Sequence, residues 1–285
     1  MAENVGGATF LASYPKSGNT WLRFLLEAYR RGGRLDINDV RICTADSDKK
    51  IMQNASALSV DELGFSGQLL CRPAAMLNFI ALSASPVFIK THFANITPDG
   101  YGPCIPWQVT RRAVYVVRDP RSVLLSFSPF YGLSLEKAVE AMASKDFGIG
   151  DNRIQVNQLL TTWSNHVSSW VGEKRFPVHV VKYEDMVADT ARELTEVLEF
   201  LGEEVDADLV NLAVEATKIS RLKSLEDEKG FGENLGNEKN FFRAGGTRWE
   251  DELGQKWIRR IEEDHGEVMR LLGYMETESK IKAVS

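Results

Sequence analysis

The sequence has few cysteines, no long apolar run and no excess of basic residues, and each shortage excludes a class of protein. Its three cysteines, Cys43, Cys71 and Cys104, are widely spaced, with no Cys-x-x-Cys pair, which argues against disulfides and structural zinc. No stretch reaches the roughly 18 uninterrupted apolar residues of a membrane span. Lysine and arginine number 34 against 40 aspartates and glutamates, a formal net charge of −6, so a broad nucleic-acid-binding surface is not expected. An anion would have to bind at a local site.

The remaining composition is that of an ordinary globular protein. The chain has 285 residues, of which 44% are hydrophobic, and this provides enough material for a buried core. No repeat or linker divides the sequence, so we expect one domain over residues 1–285, with a disordered tail at 275–285. The first residues, MAENVGGATF, contain no secretion signal, and we expect a cytoplasmic protein.

Apolar, β-branched segments alternate with helical patterns along the chain. Strands are predicted at residues 8–14, 86–91, 113–117 and 178–181. Helices are predicted at 21–29, 135–143, 154–171, 190–201, 209–216 and 257–272. This alternation predicts an α/β fold with a mainly parallel central sheet and helices on both faces. The stretch 227–247 is rich in glycine and asparagine and breaks any periodicity, so it is predicted to be a mobile loop.

The first predicted strand leads into a loop that suits an anion. Residues 14–21 read YPKSGNTW, where the strand stops and a helix begins. Backbone N–H groups and the positive end of the helix dipole would converge there, and Lys16 adds a full charge. The lysine precedes the glycine, so this is not the Walker A pattern. The loop favours a P-loop-like nucleotide-binding architecture over an ordinary strand-to-helix turn.

Two further motifs follow predicted strands. Lys90-Thr91-His92 ends the second of the four, and open α/β sheets bind ligands at such carboxyl ends, so His92 could act as a base. The alternative is a hydrogen-bonded structural histidine, the role expected of His166, His179 and His265. The next strand brings Arg118 to its end, and Ser126 follows about two helical turns later. A guanidinium and a hydroxyl can hold a second phosphate.

Together the three motifs resemble those of the cytosolic-type sulfotransferase family. These enzymes transfer a sulfuryl group from 3′-phosphoadenosine 5′-phosphosulfate (PAPS) to a hydroxyl or amine. YPKSGNTW is similar to the family's 5′-phosphosulfate loop, KTH to its catalytic strand end and YVVRDPRSVLLSF to its 3′-phosphate segment. Later segments extend the resemblance in order from about Thr9 to Tyr274: KYED at 182–185, Thr217, FFRAG at 241–245 and LLGY at 271–274. The chain departs from the family's pattern at Ala244, where a lysine is common, and at Ile219, where an aromatic residue is common.

The resemblance implies an in-line sulfuryl transfer that uses PAPS and no metal. The implied catalytic residues are Lys16, Lys90 and His92, with His92 as the general base. The implied cofactor-binding residues are Lys16, Ser17, Gly18, Asn19, Thr20, Trp21, Arg118, Ser126, Tyr183, Thr217, Arg243 and Gly245.

The expected partner is a small-molecule hydroxyl acceptor, with no nucleic acid and no membrane; the sequence does not indicate which acceptor or what oligomeric state. Several aromatic residues flank the motifs and either line an acceptor pocket or belong to the core: Phe79, Phe93, Trp107, Phe127, Phe130, Tyr131 and Phe147. Two other functions stay open. A P-loop small-molecule kinase would need Walker A spacing and an aspartate for Mg²⁺. A nucleotide-binding module without catalysis would not need Lys16, Lys90 and His92 together.

Overall fold

The structure is a computed structural model that describes residues 7–83, 86–234, 240–242 and 249–276. Within these residues, five strands form a parallel sheet in the order β2-β3-β1-β4-β7. The five are β1 Ala8–Ser13, β2 Cys43–Ala45, β3 Val87–Thr91, β4 Thr110–Val117 and β7 Val178–Lys182. A separate antiparallel pair consists of β5 Gly148–Ile149 and β6 Gln158–Leu159. The predicted parallel sheet is thus confirmed.

Helices cover both faces of this sheet. They are α1 Asn19–Arg30, α2 Lys49–Gln53, α3 Gly64–Leu82, α4 Pro120–Phe130, α5 Leu135–Ala143, α6 Trp163–Val171, α7 Tyr183–Ala188, α8 Thr190–Leu201, α9 Ala207–Ala216, α10 Ile219–Lys229, α11 Trp249–Glu252 and α12 Gln255–Leu271. Because side chains alternate along a strand, Phe10 and Tyr115 join the core under α4, α5, α6 and α12, whereas Leu11 and Val116 join the core under α1, α8 and α9. The predicted α/β class with helices on both faces is confirmed.

The strand order determines where a ligand can bind. Strand β1 pairs with β3 on one side and with β4 on the other, with Ala12 opposite both Thr91 and Tyr115. The strands that follow β1 in the chain therefore lie on both sides of it, and open sheets of this kind bind ligands outside the carboxyl ends at such a switch point. Tyr14, His92 and Arg118 follow the three strands at this edge.

Two of the predicted helices have the observed bounds, and a third is wrong at its start. Helices α5 and α8 have the predicted bounds, and the Asp189 side chain accepts a capping hydrogen bond from Arg192 N. The predicted helix 154–171 is wrong at its start: it begins at Trp163, after β6 and after Thr161, whose φ is 61°.

Helix α3, with 19 residues, escapes prediction because apolar side chains surround it and Pro73 lies inside it. No helix in the described ranges is both long and apolar enough to cross a membrane.

The predicted loop 227–247 begins too early, because α10 continues to Lys229. Beyond this helix, Phe231 and Phe242 are buried against Phe24 of α1. The Glu226 carboxylate accepts hydrogen bonds from the backbone N–H of Phe242 and of its neighbour Phe241, at 2.9 and 2.6 Å. These contacts fix part of the stretch onto α1 and α10. Its residues 235–239 and 243–248, and the tail from 277 onward, lie outside the described residues.

Candidate active site

The loop between β1 and α1 brings the backbone close to its neighbours. Gly18 is the N-cap of α1, with a φ of 107°. A Cβ at this position would lie 2.6 Å from Cδ2 of Tyr183, so both the conformation and the space require glycine. Lys16 also has a positive φ, 66°, which is uncommon for a residue with a side chain. Asn19 Nδ2 donates to Leu11 O at 2.9 Å and ties the start of α1 to β1.

Three polar atoms of this loop and helix start are buried without a hydrogen-bond partner among the described residues: Ser17 Oγ, Asn19 Oδ1 and Trp21 Nε1. Folded proteins pair nearly all buried polar atoms, and an unpaired one costs about 1–3 kcal/mol. No side chain caps the first turn of α1. The N–H groups of this turn have no partner within the helix, and they point toward the same space as these three atoms. The arrangement suits an anionic ligand with several hydrogen-bonding groups.

Lys16 extends from the loop to the end of α4. Its Nζ lies 4.0 Å from the ring centroids of both Phe130 and Phe241, close enough for cation–π attraction. Ser126 is half-buried one turn earlier on α4. The structure thus brings Lys16 and the helix that carries Ser126 together.

Arg118 connects the end of β4 to the loop. Its side chain is buried, its Nη1 donates to Lys16 O at 3.3 Å, and its guanidinium lies 4.3 Å from the ring centroid of Tyr183. The Tyr183 ring in turn meets the Trp21 ring edge-on, with centroids 5.8 Å apart. Arg118, Tyr183 and Trp21 therefore form a continuous wall beside Gly18. Predicted cofactor residues from three distant segments meet at this wall.

Thr217 is the C-cap of α9, and its buried hydroxyl donates to Ala213 O at 2.9 Å. Its proton is therefore used by the helix, and only its lone pairs remain for another group. The hydrogen bonds of the Thr217 hydroxyl lie within α9, to Ala213 O and Val214 O. Arg243 and Gly245 lie outside those residues.

His92 directly follows β3 and is half-buried. Its Nδ1 lies 2.8 Å from Ser13 O. Because a carbonyl oxygen only accepts, Nδ1 carries the proton and Nε2 carries the lone pair. Burial, and then the nearby charge of Lys90, lowers the pKa of His92 to about 3. The imidazole is therefore neutral near pH 7, and Nε2 is ready to accept a proton.

Lys90 is paired with Glu233, which no sequence motif indicates. Its Nζ lies 3.3 Å from Oε2 of Glu233, and the same carboxylate accepts two hydrogen bonds from Arg23 of α1, at 2.9 and 2.6 Å. Burial opposes ionisation of Glu233, but the charges of Lys90 and Arg23 outweigh it and hold its pKa well below the usual range. The sequence contains one signal for the pairing of Arg23 with Glu233, because Arg23 lies on the face of α1 that packs inward. In the structure, Arg23 also donates to the hydroxyl of Thr20, three positions earlier, at 3.1 Å.

Four of the seven flanking aromatic residues meet in one cluster beside Lys16. Phe127 packs on Tyr131 and Phe147, with centroids 4.5 and 5.9 Å apart, and Phe130 packs on Tyr131 at 5.0 Å. The other three lie elsewhere: Phe93 is buried under Arg72, Trp107 is exposed beside Arg175, and Phe79 packs at the core margin. Within the described ranges, no cluster of three or more histidine, cysteine, aspartate or glutamate side chains could hold a metal ion.

The parallel sheet, the glycine-containing loop at its switch point and the buried arginine beside it define an α/β protein of the P-loop-like class. More particularly, the family profile described as "Sulfotransferase domain" matches residues 7–273. The chain belongs to this family, and the resemblance seen in the sequence is confirmed.

Relatives in sequence and structure agree with this assignment. Sulfotransferase 1E1 of Rattus norvegicus is 25% identical over 219 residues, which are 75% of this chain and 65% of the rat protein. Sulfotransferase 1A1 of Mus musculus is 26% identical over 216 residues, 75% of this chain and 66% of the mouse protein. The chain thus spans just under two thirds of the length of these relatives.

Two solved structures share the fold. Retinol dehydratase in complex with androsterone and the inactive cofactor PAP aligns with a TM-score of 0.61 and 19% identity, over 92% of this chain and 80% of that one. Mouse sulfotransferase SULT7A1 complexed with PAP aligns with a TM-score of 0.60 and 22% identity, over 93% and 84%. At these identities the likeness shows the fold alone.

Proposed function

We propose that this chain is a PAPS-dependent sulfotransferase that acts on a hydroxyl group of a small molecule. The observation that carries the proposal is a juxtaposition at one sheet edge. His92, with Nε2 unprotonated, lies beside a loop whose buried polar atoms Ser17 Oγ and Trp21 Nε1 have no partner among the described residues. Membership of the sulfotransferase domain family supports the same reaction.

The residues present fit the donor. Ser17 Oγ, Trp21 Nε1 and the first-turn N–H groups of α1 are hydrogen-bond donors at a helix N-terminus, the arrangement that binds phosphate. When bound, PAPS supplies the sulfuryl group and the nucleotide that leaves with it. Lys16 and the loop would hold the 5′ side, and Arg118 with Ser126 would hold the 3′-phosphate. Arg243 and Gly245 complete the proposed contacts.

His92 is the proposed general base. Nε2 accepts the proton of the attacking hydroxyl, and Nδ1–H, held by Ser13 O, orients the ring and stabilises the positive charge that the imidazole then gains. The low pKa of His92 owes part of its shift to Lys90. An anion that neutralises Lys90 would raise that pKa, so donor binding would strengthen the base.

The proposed acceptor is an apolar molecule with a hydroxyl group. The cluster of Phe127, Phe130, Tyr131 and Phe147 lies beside Lys16, and small-molecule pockets are mostly lined by such side chains. Androsterone is bound in one of the structural relatives, so a hydroxysteroid belongs in an acceptor panel.

Transfer of label from radiolabelled PAPS to phenols, alcohols and hydroxysteroids tests the proposal. We expect the wild-type protein to sulfate at least one of these classes and His92→Ala to lose most of this turnover. The same panel with ATP and Mg²⁺ tests the kinase alternative, and phosphoryl transfer there would replace our proposal. Binding of 3′-phosphoadenosine 5′-phosphate (PAP) without transfer to any acceptor would leave a nucleotide-binding module.

A further inference from the structure

The loop that carries His92 is held by side chains of α6. Trp170 Nε1 donates to Phe93 O at 3.1 Å, and the Ser169 hydroxyl accepts from Asn95 N at 3.0 Å. His166 Nε2 lies 3.1 Å from the carbonyl oxygen of His92 itself. One face of α6 therefore supplies hydrogen-bond partners to three of the four residues that follow β3.

His166 uses both of its ring nitrogens in this arrangement. The carbonyl of His92 can only accept, so His166 Nε2 carries the proton. Nδ1 then accepts from the hydroxyl of Tyr115, 2.9 Å away on β4. The ring is fully buried, and burial lowers the pKa of His166 to about 4, so the imidazole is neutral near pH 7. Tyr115 thus fixes the tautomer of His166, and His166 fixes the backbone of His92.

We propose that His166 is a positioning residue that sets the place from which His92 Nε2 meets the acceptor, an inference that rests on the proposed function. His92 is held at two points, by Ser13 O at its ring and by His166 at its carbonyl. Loss of the second point frees the peptide after His92 and shifts the ring. A displacement of about 1 Å at a reacting group can cost ~10²-fold in rate.

A second buried histidine provides a matched control. His265 of α12 is 2% exposed, its Nδ1 lies 2.9 Å from the Ser164 hydroxyl, and burial lowers its pKa to about 4 as well. Its hydrogen bond leads to the start of α6 and not to the loop after β3. A purely structural role for His166 would therefore resemble that of His265.

Two substitutions of His166 distinguish the roles of its two ring nitrogens. A glutamine amide reaches about as far as Nε2, whereas an asparagine amide reaches only about as far as Nδ1. We expect His166→Asn to lower kcat by about 10- to 100-fold while the Kd of PAP changes less than about twofold. His166→Gln should recover most of kcat, and His265→Asn should leave kcat within about twofold of wild type, although both asparagine variants lower Tm.

Nitrogen-15 NMR of the His92 ring provides a readout that needs no turnover. We expect one tautomer with Nδ1 protonated in the wild type and in His166→Gln, and a tautomer mixture in His166→Asn. If the wild type sulfates nothing, the proposed function fails, and these spectra still decide the role of His166. An unchanged kcat and an unchanged His92 tautomer in His166→Asn would overturn the inference, as would equal losses of kcat in His166→Asn and His265→Asn.

If His166→Asn does not fold, Tyr115→Phe takes its place, because it removes the hydroxyl donor and keeps the ring. We expect a smaller loss of kcat, about threefold, and a mixed tautomer at His92. A wild-type kcat together with a wild-type spectrum would then overturn the inference.

Discussion

The two halves of the site differ in how far the protein satisfies its own polar groups. On the His92 side, Ser13 O and His166 hold the base at ring and backbone, and Tyr115 holds His166. On the loop side, Ser17 Oγ and Trp21 Nε1 are buried with no partner among the described residues. The first half is complete within the protein, whereas the second has unused hydrogen-bonding capacity.

The difference separates what catalysis needs from what binding needs. A base acts best when its position and tautomer are fixed before the substrate arrives, and the hydrogen bonds around His92 provide this. Unpaired buried donors destabilise the folded chain, but they strengthen binding of a ligand that pairs with them. We therefore expect substitutions on the two sides to change different quantities.

The largest expected effect is on turnover at the His92 side. His92→Ala should lower kcat by at least about 10²-fold, because the general base is lost, while the affinity for PAP stays nearly unchanged. Steady-state kinetics and calorimetric titration with PAP measure the two quantities, with His265→Ala as a control for loss of an imidazole. A large loss of PAP affinity with normal turnover at saturation would reverse the assignment of this side.

The next effect is on affinity at the loop side. Arg118→Ala should weaken PAP binding by about 1.5–3 kcal/mol, the worth of a charge-assisted contact, and reduce the preference over ADP, which lacks the 3′-phosphate. Arg112→Ala is the control, since Arg112 lies on β4, the strand that Arg118 directly follows, and donates instead to Phe200 O. If Arg118→Ala kept full discrimination between PAP and ADP, Arg118 would be structural.

Two serine substitutions should change the free energy of unfolding and the affinity for PAP in different ways. Ser17→Ala removes a hydroxyl that has no partner among the described residues, so the free energy of unfolding should stay constant or rise, while PAP affinity falls by about 1 kcal/mol. Ser128→Ala removes a hydroxyl that donates to Leu133 O at 2.7 Å; it should lower the free energy of unfolding by about 1 kcal/mol and leave affinity unchanged. Urea unfolding and PAP titration measure both. Equal destabilisation in the two variants would contradict the distinction.

Glu233 allows a weaker test at the boundary between the halves. Its carboxylate forms ion pairs with Lys90 and Arg23. There it would repel an anionic ligand and compete with that ligand for the two cations. Glu233→Gln should tighten PAP binding by about two- to fivefold, a gain within the range of partly exposed ion pairs. Glu228→Gln, an exposed change in the same segment, controls for net charge. Weaker PAP binding in Glu233→Gln would mean instead that Glu233 orients Lys90 for the donor.

The smallest expected effect concerns the protonation of His92, which should not change between pH 7 and pH 5. With its pKa lowered to about 3 by burial and by Lys90, His92 should stay neutral from pH 7 to pH 5 in the free protein, and PAP should raise this pKa. Nitrogen-15 NMR measures both. A midpoint near the unperturbed value of about 6.5 would contradict the low pKa of this side.

The sequence predicts the local parts of the site and misses the distant ones. The loop at Lys16, the strand end at His92 and Arg118 are predictable because each follows an apolar strand, and parallel strands place their carboxyl ends together. The pairing of Arg23 with Glu233 joins residues 210 positions apart, and no local pattern indicates it. His166 was expected to be structural; its contact with the His92 carbonyl depends on how α6 packs across the sheet.

The most direct test of the account is calorimetric titration of the wild-type protein with PAP and with ADP under the same conditions. If the loop side is completed by a 3′-phosphorylated adenosine nucleotide, PAP should bind at least about tenfold more tightly than ADP, since one lost charge-assisted contact costs about 1.5–3 kcal/mol. Equal affinities for the two nucleotides, or no binding of PAP, would contradict the account.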